Sequence, residues 1–132
     1  FSHKIHSGDN AIPCLYCHTQ ARRSINAGVP SVNKCVSCHS IVAKDRPQIR
    51  KVMSYWASQQ PIPWIKVHDL PDFVYFPHKR HVQADVACQT CHGEVEAMHR
   101  VKRVAPMKMG WCLNCHKEHA VENGLDCWTC HK

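Results

Sequence analysis

All ten cysteines and five of the twelve histidines of this 132-residue chain fall into one pattern, Cys-x-x-Cys-His, written five times. The copies are Cys14-Leu15-Tyr16-Cys17-His18, Cys35-Val36-Ser37-Cys38-His39, Cys88-Gln89-Thr90-Cys91-His92, Cys112-Leu113-Asn114-Cys115-His116 and Cys127-Trp128-Thr129-Cys130-His131. Two thiols at this spacing bond the vinyl groups of a porphyrin, and the adjacent imidazole meets its iron from one face, which is the attachment chemistry of c-type haem. Read this way, the chain holds five covalently bound haem c groups, with His18, His39, His92, His116 and His131 as proximal ligands. Zinc ribbons, thioredoxin-like pairs and disulfide frameworks also use Cys-x-x-Cys, but none of them calls for histidine after every pair. No cysteine is left over for a bridge.

Seven histidines remain: His3, His6, His68, His78, His81, His99 and His119. An iron with both axial positions filled changes oxidation state with little rearrangement, whereas substrate chemistry needs one position open. The free histidines outnumber the five second positions, so the count points to electron transfer and not to an enzyme active site. His68 lies in the aromatic stretch Pro63-Trp64-Ile65-Lys66-Val67-His68-Asp69-Leu70-Pro71-Asp72-Phe73-Val74-Tyr75-Phe76, where it is a candidate to ligate an iron or to bond a propionate. His99 is expected to face solvent.

The elements that must position these groups are short. Phe1-Ser2-His3-Lys4-Ile5-His6 recurs as Phe76-Pro77-His78-Lys79-Arg80-His81, an offset of 75, and the motifs that follow recur at offsets of 74 (Cys14 to Cys88) and 77 (Cys35 to Cys112). Near-constant offsets mean a duplicated unit. The organisation predicted is a two-haem module over 1–45, a linker over 46–75 and a three-haem module over 76–132. Within the linker, Asp45 as N-cap, Pro47 in the first turn, and Ile49, Val52, Met53 and Trp56 at helical spacing predict one amphipathic helix over 46–58, with Met53 on its apolar stripe. Pro61, Pro63, Pro71 and Pro77 then exclude long helix, so the chain up to Phe76 should run extended across haem surfaces. The fold expected is mostly short helices and loops wrapped around five haems, with little regular secondary structure. So short a chain has too little apolar sequence for a conventional core, and the haem-free polypeptide should not fold.

Seventeen Lys and Arg stand against ten Asp and Glu. Five haems bring about ten propionate carboxylates, so the basic excess reads as propionate neutralisation and not as a nucleic-acid surface. Haem attachment is completed outside the cytoplasm, which predicts a periplasmic or extracytoplasmic location. No apolar run approaches the roughly 20 residues of a membrane span. The chain starts at Phe1, already inside a motif, and an upstream segment is expected to have been processed or lost.

Phe-x-His-x-x-His followed by Cys-x-x-Cys-His motifs resembles the class III cytochromes c, the c3 and c7 family. The resemblance implies two duplicated c3/c7-like modules in which the first His of each pair ligates the next haem and the second ligates another. Carried over, His3 would serve the haem of His18, His6 that of His39, His78 that of His92 and His81 that of His116. In c7-like modules the distal ligand of the last haem lies just before the preceding motif, where this chain has Met107-Lys108-Met109-Gly110-Trp111 and no histidine. Met109 is therefore the first choice for the haem of His131, with Met107, His68 and His119 as rivals.

The aromatic stretch and Met109-Gly110-Trp111-Cys112-Leu113-Asn114-Cys115-His116 together resemble something narrower, the pentahaem cytochrome subunit of bacterial alternative complex III. That resemblance implies a place on the periplasmic face of a membrane-bound, menaquinol-oxidising complex. It also implies iron–sulfur/molybdopterin-like and quinol-binding subunits as partners, and a monohaem cytochrome, a copper protein or a terminal oxidase as acceptor. Such subunits usually carry a membrane anchor ahead of the first Phe-x-His-x-x-His, and this sequence starts at that segment. A soluble c3/c7-type periplasmic carrier needs the same chemistry without stable partners, and a multihaem reductase needs one open iron.

Overall fold

The computed structural model describes all 132 residues. Seven α-helices are present: α1 (Cys14–Cys17), α2 (Val32–His39), α3 (Pro47–Ala57), α4 (His78–Gln83), α5 (Cys88–His92), α6 (Met109–Glu118) and α7 (Cys127–Cys130). A π-helical turn, Lys4–Asp9, and a 3-10 turn, Val95–Ala97, complete the set. There is no β-strand, only an isolated antiparallel bridge between Val74 and His131. Every Cys-x-x-Cys pair sits on a helix. The reason is geometric: residues three apart on a helix share a face, so one turn aims both sulfurs the same way.

The linker helix is close to the expected span, but its start differs. Arg46, not Asp45, holds the N-cap place in extended backbone (φ −71°, ψ 139°), and no side chain closes the end. Pro47 is responsible, because its ring forces the preceding residue out of helical geometry and suits the first helical position itself. The helix packs against α2, with Ile49, Val52 and Met53 half-buried, while Trp56 stays 44% exposed. Residues 60–77 contain no helix, as the four prolines require.

Residues separated by 74 or 75 positions make the same contacts twice, in opposite directions. The Lys4 amide donates to the Met98 carbonyl (2.9 Å), and its counterpart Lys79 donates to the Ser24 carbonyl (3.1 Å). Gly8 lies against the Glu96 carbonyl, and at the matching place the Gln83 amide reaches the Arg22 carbonyl (3.3 Å). The turn carrying His3 and His6 thus packs behind the third motif, and α4, carrying His78 and His81, packs behind the first. Each segment is ordered by the other half of the chain.

Only two residues are buried, Ala21 and Gly124. Large apolar side chains such as Ile41, Ile65 and Trp128 are 80%, 88% and 81% exposed. The polypeptide does not close a core on itself; its apolar side chains suit a second apolar body, and a set of macrocycles is such a body.

A side chain at Gly8 would run into the Glu96 carbonyl, whereas nothing lies within 4 Å of a Cβ at Gly110. Gly8→Val is expected to destabilise the haem-loaded protein by about 1–3 kcal/mol through overpacking. Gly110→Ala should be neutral or slightly stabilising, since it improves helix propensity in open space. Thermal unfolding of both variants checks this; equal melting temperatures would show that the turn does not depend on that close approach.

Candidate haem sites

Four pairs of imidazoles face one another. The ring centres of His3 and His18 are 6.5 Å apart and of His78 and His92 6.3 Å, with the planes only 6° and 7° from parallel. His6 and His39 are 5.9 Å apart at 74°, and His81 and His116 6.1 Å apart at 28°. Two metal–nitrogen bonds of about 2 Å each, plus the distance from nitrogen to ring centre on both sides, require about 6 Å between imidazole centres across one metal. The donor set therefore fits a six-coordinate haem iron at each pair. No group of three or more His, Cys, Asp or Glu side chains is gathered as a bare metal ion would need.

A metal-binding imidazole is oriented by its other nitrogen. The Nδ1–H of His18 donates to the Gly28 carbonyl (2.6 Å), that of His39 to Val42 (2.9 Å), that of His116 to Gly124 (2.7 Å) and that of His131 to Phe73 (3.3 Å). His6, His78 and His81 do the same to the carbonyls of Ser2 (2.8 Å), Ile25 (2.8 Å) and Pro77 (3.1 Å). Each bond leaves Nε2 with its lone pair free. Nδ1 of His3 is buried without a partner.

Phe1 and Phe76 contact the candidate distal histidines in a way the sequence reading did not foresee. The Phe1 ring stacks on His6 (4.3 Å, 26°) and meets His3 edge-on (4.8 Å, 84°). Phe76 repeats this with His81 (4.4 Å, 30°) and His78 (5.0 Å, 87°). In each copy one aromatic ring thus lies over one imidazole and meets the other edge-on. The signal was present, a Phe two residues before the first His in both copies, but it does not name its contacts.

His68 lies beside the third motif. Its ring stands 4.4 Å from that of His92 at 82°, and its buried Nε2 has no hydrogen-bond partner. Burial, then the neighbouring His68, His78 and His18, push the pKa of His92 down to about 4, so its imidazole is neutral at neutral pH. Burial likewise lowers His3, His68 and His81. Beside His131 lies the Phe73 ring, 5.8 Å away and tilted 31°. Backbone pairing of Val74 with His131, and of the Tyr75 amide with the Cys130 carbonyl (2.7 Å), ties the aromatic stretch to the fifth motif. Met109 opens α6 and is 63% exposed. His99 and His119 are exposed; Ser2 Oγ hydrogen-bonds His99 Nδ1 at 3.0 Å.

Residues 74–132 match the family of cytochrome c7 and related cytochrome c. The chain is also 29% identical over 157 aligned positions to the multiheme cytochrome c subunit of menaquinone reductase from Nitratidesulfovibrio vulgaris, an alignment covering 100% of this chain and 75% of that protein. These similarities and the sites above support a multihaem cytochrome c involved in electron transfer, similar to cytochrome c7 over residues 74–132. No helix of the chain is long and apolar enough to cross a membrane.

Phe76→Ala removes the wedge between His78 and His81 without touching a ligand. It is expected to leave the haem content unchanged while shifting two components of the redox titration and the low-spin ferric spectrum, because imidazole orientation tunes the iron. A titration superimposable on that of the parent protein would show that the ring packs there without orienting anything.

Proposed function

We propose that this chain is a five-haem electron-transfer subunit that exchanges electrons between a menaquinone-handling membrane complex and a one-electron partner on the periplasmic face. The observation that carries the reading is the set of four imidazole pairs, each joining the histidine of an attachment motif to one of a Phe-x-His-x-x-His segment at 5.9–6.5 Å. Bound at these sites, haem c supplies a reversible one-electron ferric/ferrous couple. The residues hold, orient and shield it. Ten cysteines tether the five groups, His18, His39, His92, His116 and His131 are the proximal ligands, and His3, His6, His78 and His81 fill the second positions of the first four sites. The backbone carbonyls on Nδ1 fix each ring, and no position in those four sites stays open for a substrate.

For the fifth site Met109 is the proposed second ligand, and His68 is assigned instead to the surroundings of His92, against whose ring it packs. A thioether ligand raises an iron's potential relative to a second imidazole. Two directions of electron flow are supported. The likeness of the aromatic stretch and the Met109–His116 segment to the alternative complex III cytochrome favours oxidation of menaquinol. On that reading the partners are iron–sulfur/molybdopterin-like and quinol-binding subunits, with a monohaem cytochrome, a copper protein or a terminal oxidase as acceptor. The full-length similarity to a menaquinone reductase subunit favours the reverse flow, from a periplasmic donor into menaquinone.

Rapid optical recording of haem absorption in native membranes enriched in the chain separates these. Prompt reduction by a menaquinol analogue, co-purifying with large partner subunits, is the result expected for quinol oxidation; reoxidation of pre-reduced haem by a menaquinone analogue marks the reverse. If neither reagent acts and the chain elutes alone, it is a free periplasmic carrier. Separately, Met109→His is expected to lower the potential of one haem only; an unchanged titration removes Met109 from the coordination sphere.

A further inference from the structure

Sequence order is not the order in which the five attachment motifs stand in space. The first and second motifs are yoked by the turn that carries His3 and His6, three residues apart, which face His18 and His39. They also touch directly, since the Lys34 ammonium, just before Cys35, lies 4.3 Å over the ring of Tyr16 inside the first motif. The third and fourth motifs are yoked in the same way by α4, whose His78 and His81 face His92 and His116. The fourth and fifth share one loop: Gly124 accepts from His116 Nδ1 (2.7 Å), and Asn123 accepts from Thr129 Oγ1 inside the fifth motif (2.8 Å).

The two halves are joined between the first and third motifs. Lys4 bonds to Met98 behind the third motif, and Lys79 bonds to Ser24 behind the first. His78, which faces the third motif's His92, donates through both its backbone amide (2.9 Å) and Nδ1 (2.8 Å) to Ile25, just behind the first. Equivalent residues make these paired contacts: Lys79 is the counterpart of Lys4, and Ser24 that of Met98.

We infer that the chain lines up its attachment motifs as second, first, third, fourth, fifth, around an approximate two-fold axis between the first and third, so that the second and fifth motifs are the two ends at which electrons enter and leave. This rests on the five-haem reading above. One electron arrives from a metal centre of a donor protein at one end and departs to a metal centre of an acceptor at the other; no bond is made or broken and no proton is taken up. Cys35, Cys38 and His39 at one end, and Cys127, Cys130 and His131 at the other, are the groups a partner must approach.

Mass spectrometry of the purified holoprotein first counts attached haems; fewer than five overturns the underlying reading, whatever the order. On the five-haem protein, paramagnetic NMR of the haem methyl groups through stepwise oxidation yields the pairwise redox interactions, which weaken with separation. His6→Met serves to mark the haem of the second motif. The strongest interactions are expected for the second with the first, first with third, third with fourth and fourth with fifth, and the weakest for the second with the fifth. A haem of the second motif that couples more strongly to the third, fourth or fifth than to the first would overturn the order. Should the marker variant fail to load, iron positions in a crystal of the parent holoprotein decide the same question: a line in the stated order supports it, and a branched or sequence-ordered array sinks it.

Discussion

The fold depends on one distance. Two imidazoles serve a single iron only when their centres stand about 6 Å apart with the Nε2 atoms turned toward each other. Four histidine pairs of the chain meet that distance. Helical turns aim paired cysteines and present a histidine beside them, backbone carbonyls hold Nδ1, and a phenylalanine separates the two imidazoles that come from one turn. The near-parallel pairs, His3 with His18 and His78 with His92, use the first histidine of each Phe-x-His-x-x-His. The second histidine makes the more open angles, 74° and 28°.

What replaces an apolar core is a division of labour between polypeptide and macrocycle. With only Ala21 and Gly124 buried, the chain contributes hydrogen-bonded turns and apolar side chains that face outward from them. Its tertiary contacts between halves are largely backbone bonds and single close approaches, such as Lys4 with Met98 and Gly8 with Glu96. Such contacts are individually worth about 1 kcal/mol and give register more than stability. On the five-haem reading proposed above, the apolar burial that normally drives folding comes from the haems. A basic polypeptide bound to propionate-bearing groups is consistent with that dependence.

A good part of this was legible in one dimension. Cysteine spacing is set by covalent chemistry within one helical turn, so it is read directly from the sequence, and Pro61 to Pro77 declare a stretch without helix because the missing N–H and fixed φ act locally. The helix starting at Pro47 was visible from its apolar spacing. Its cap was misassigned to Asp45 because capping preference was weighed ahead of the constraint that proline places on the residue before it. The aromatic company of His68 marked it as a candidate to ligate an iron or bond a propionate; that its ring stands 4.4 Å from that of His92 is encoded by nothing local to residues 63–76. The Phe rings of the two Phe-x-His-x-x-His segments were seen as pattern and not as wedges, since contacts between rings are a matter of rotamer and packing.

By itself the sequence determined the pattern: five Cys-x-x-Cys-His motifs, a repeated Phe-x-His-x-x-His segment and a chain poor in core-forming residues. Those follow from residue type and spacing within a turn, where the helix repeat of 3.6 residues does the positioning. The family resemblance already pointed to the imidazole pairs that stand 5.9–6.5 Å apart; only the tertiary structure decided that the turn of each Phe-x-His-x-x-His segment is seated on the other half of the chain. The contacts between the halves join residues 53 to 94 positions apart, and no local rule of spacing or propensity reaches that far. They exist because two copies of one unit, each unable to cover its own ligand turn, cover each other's.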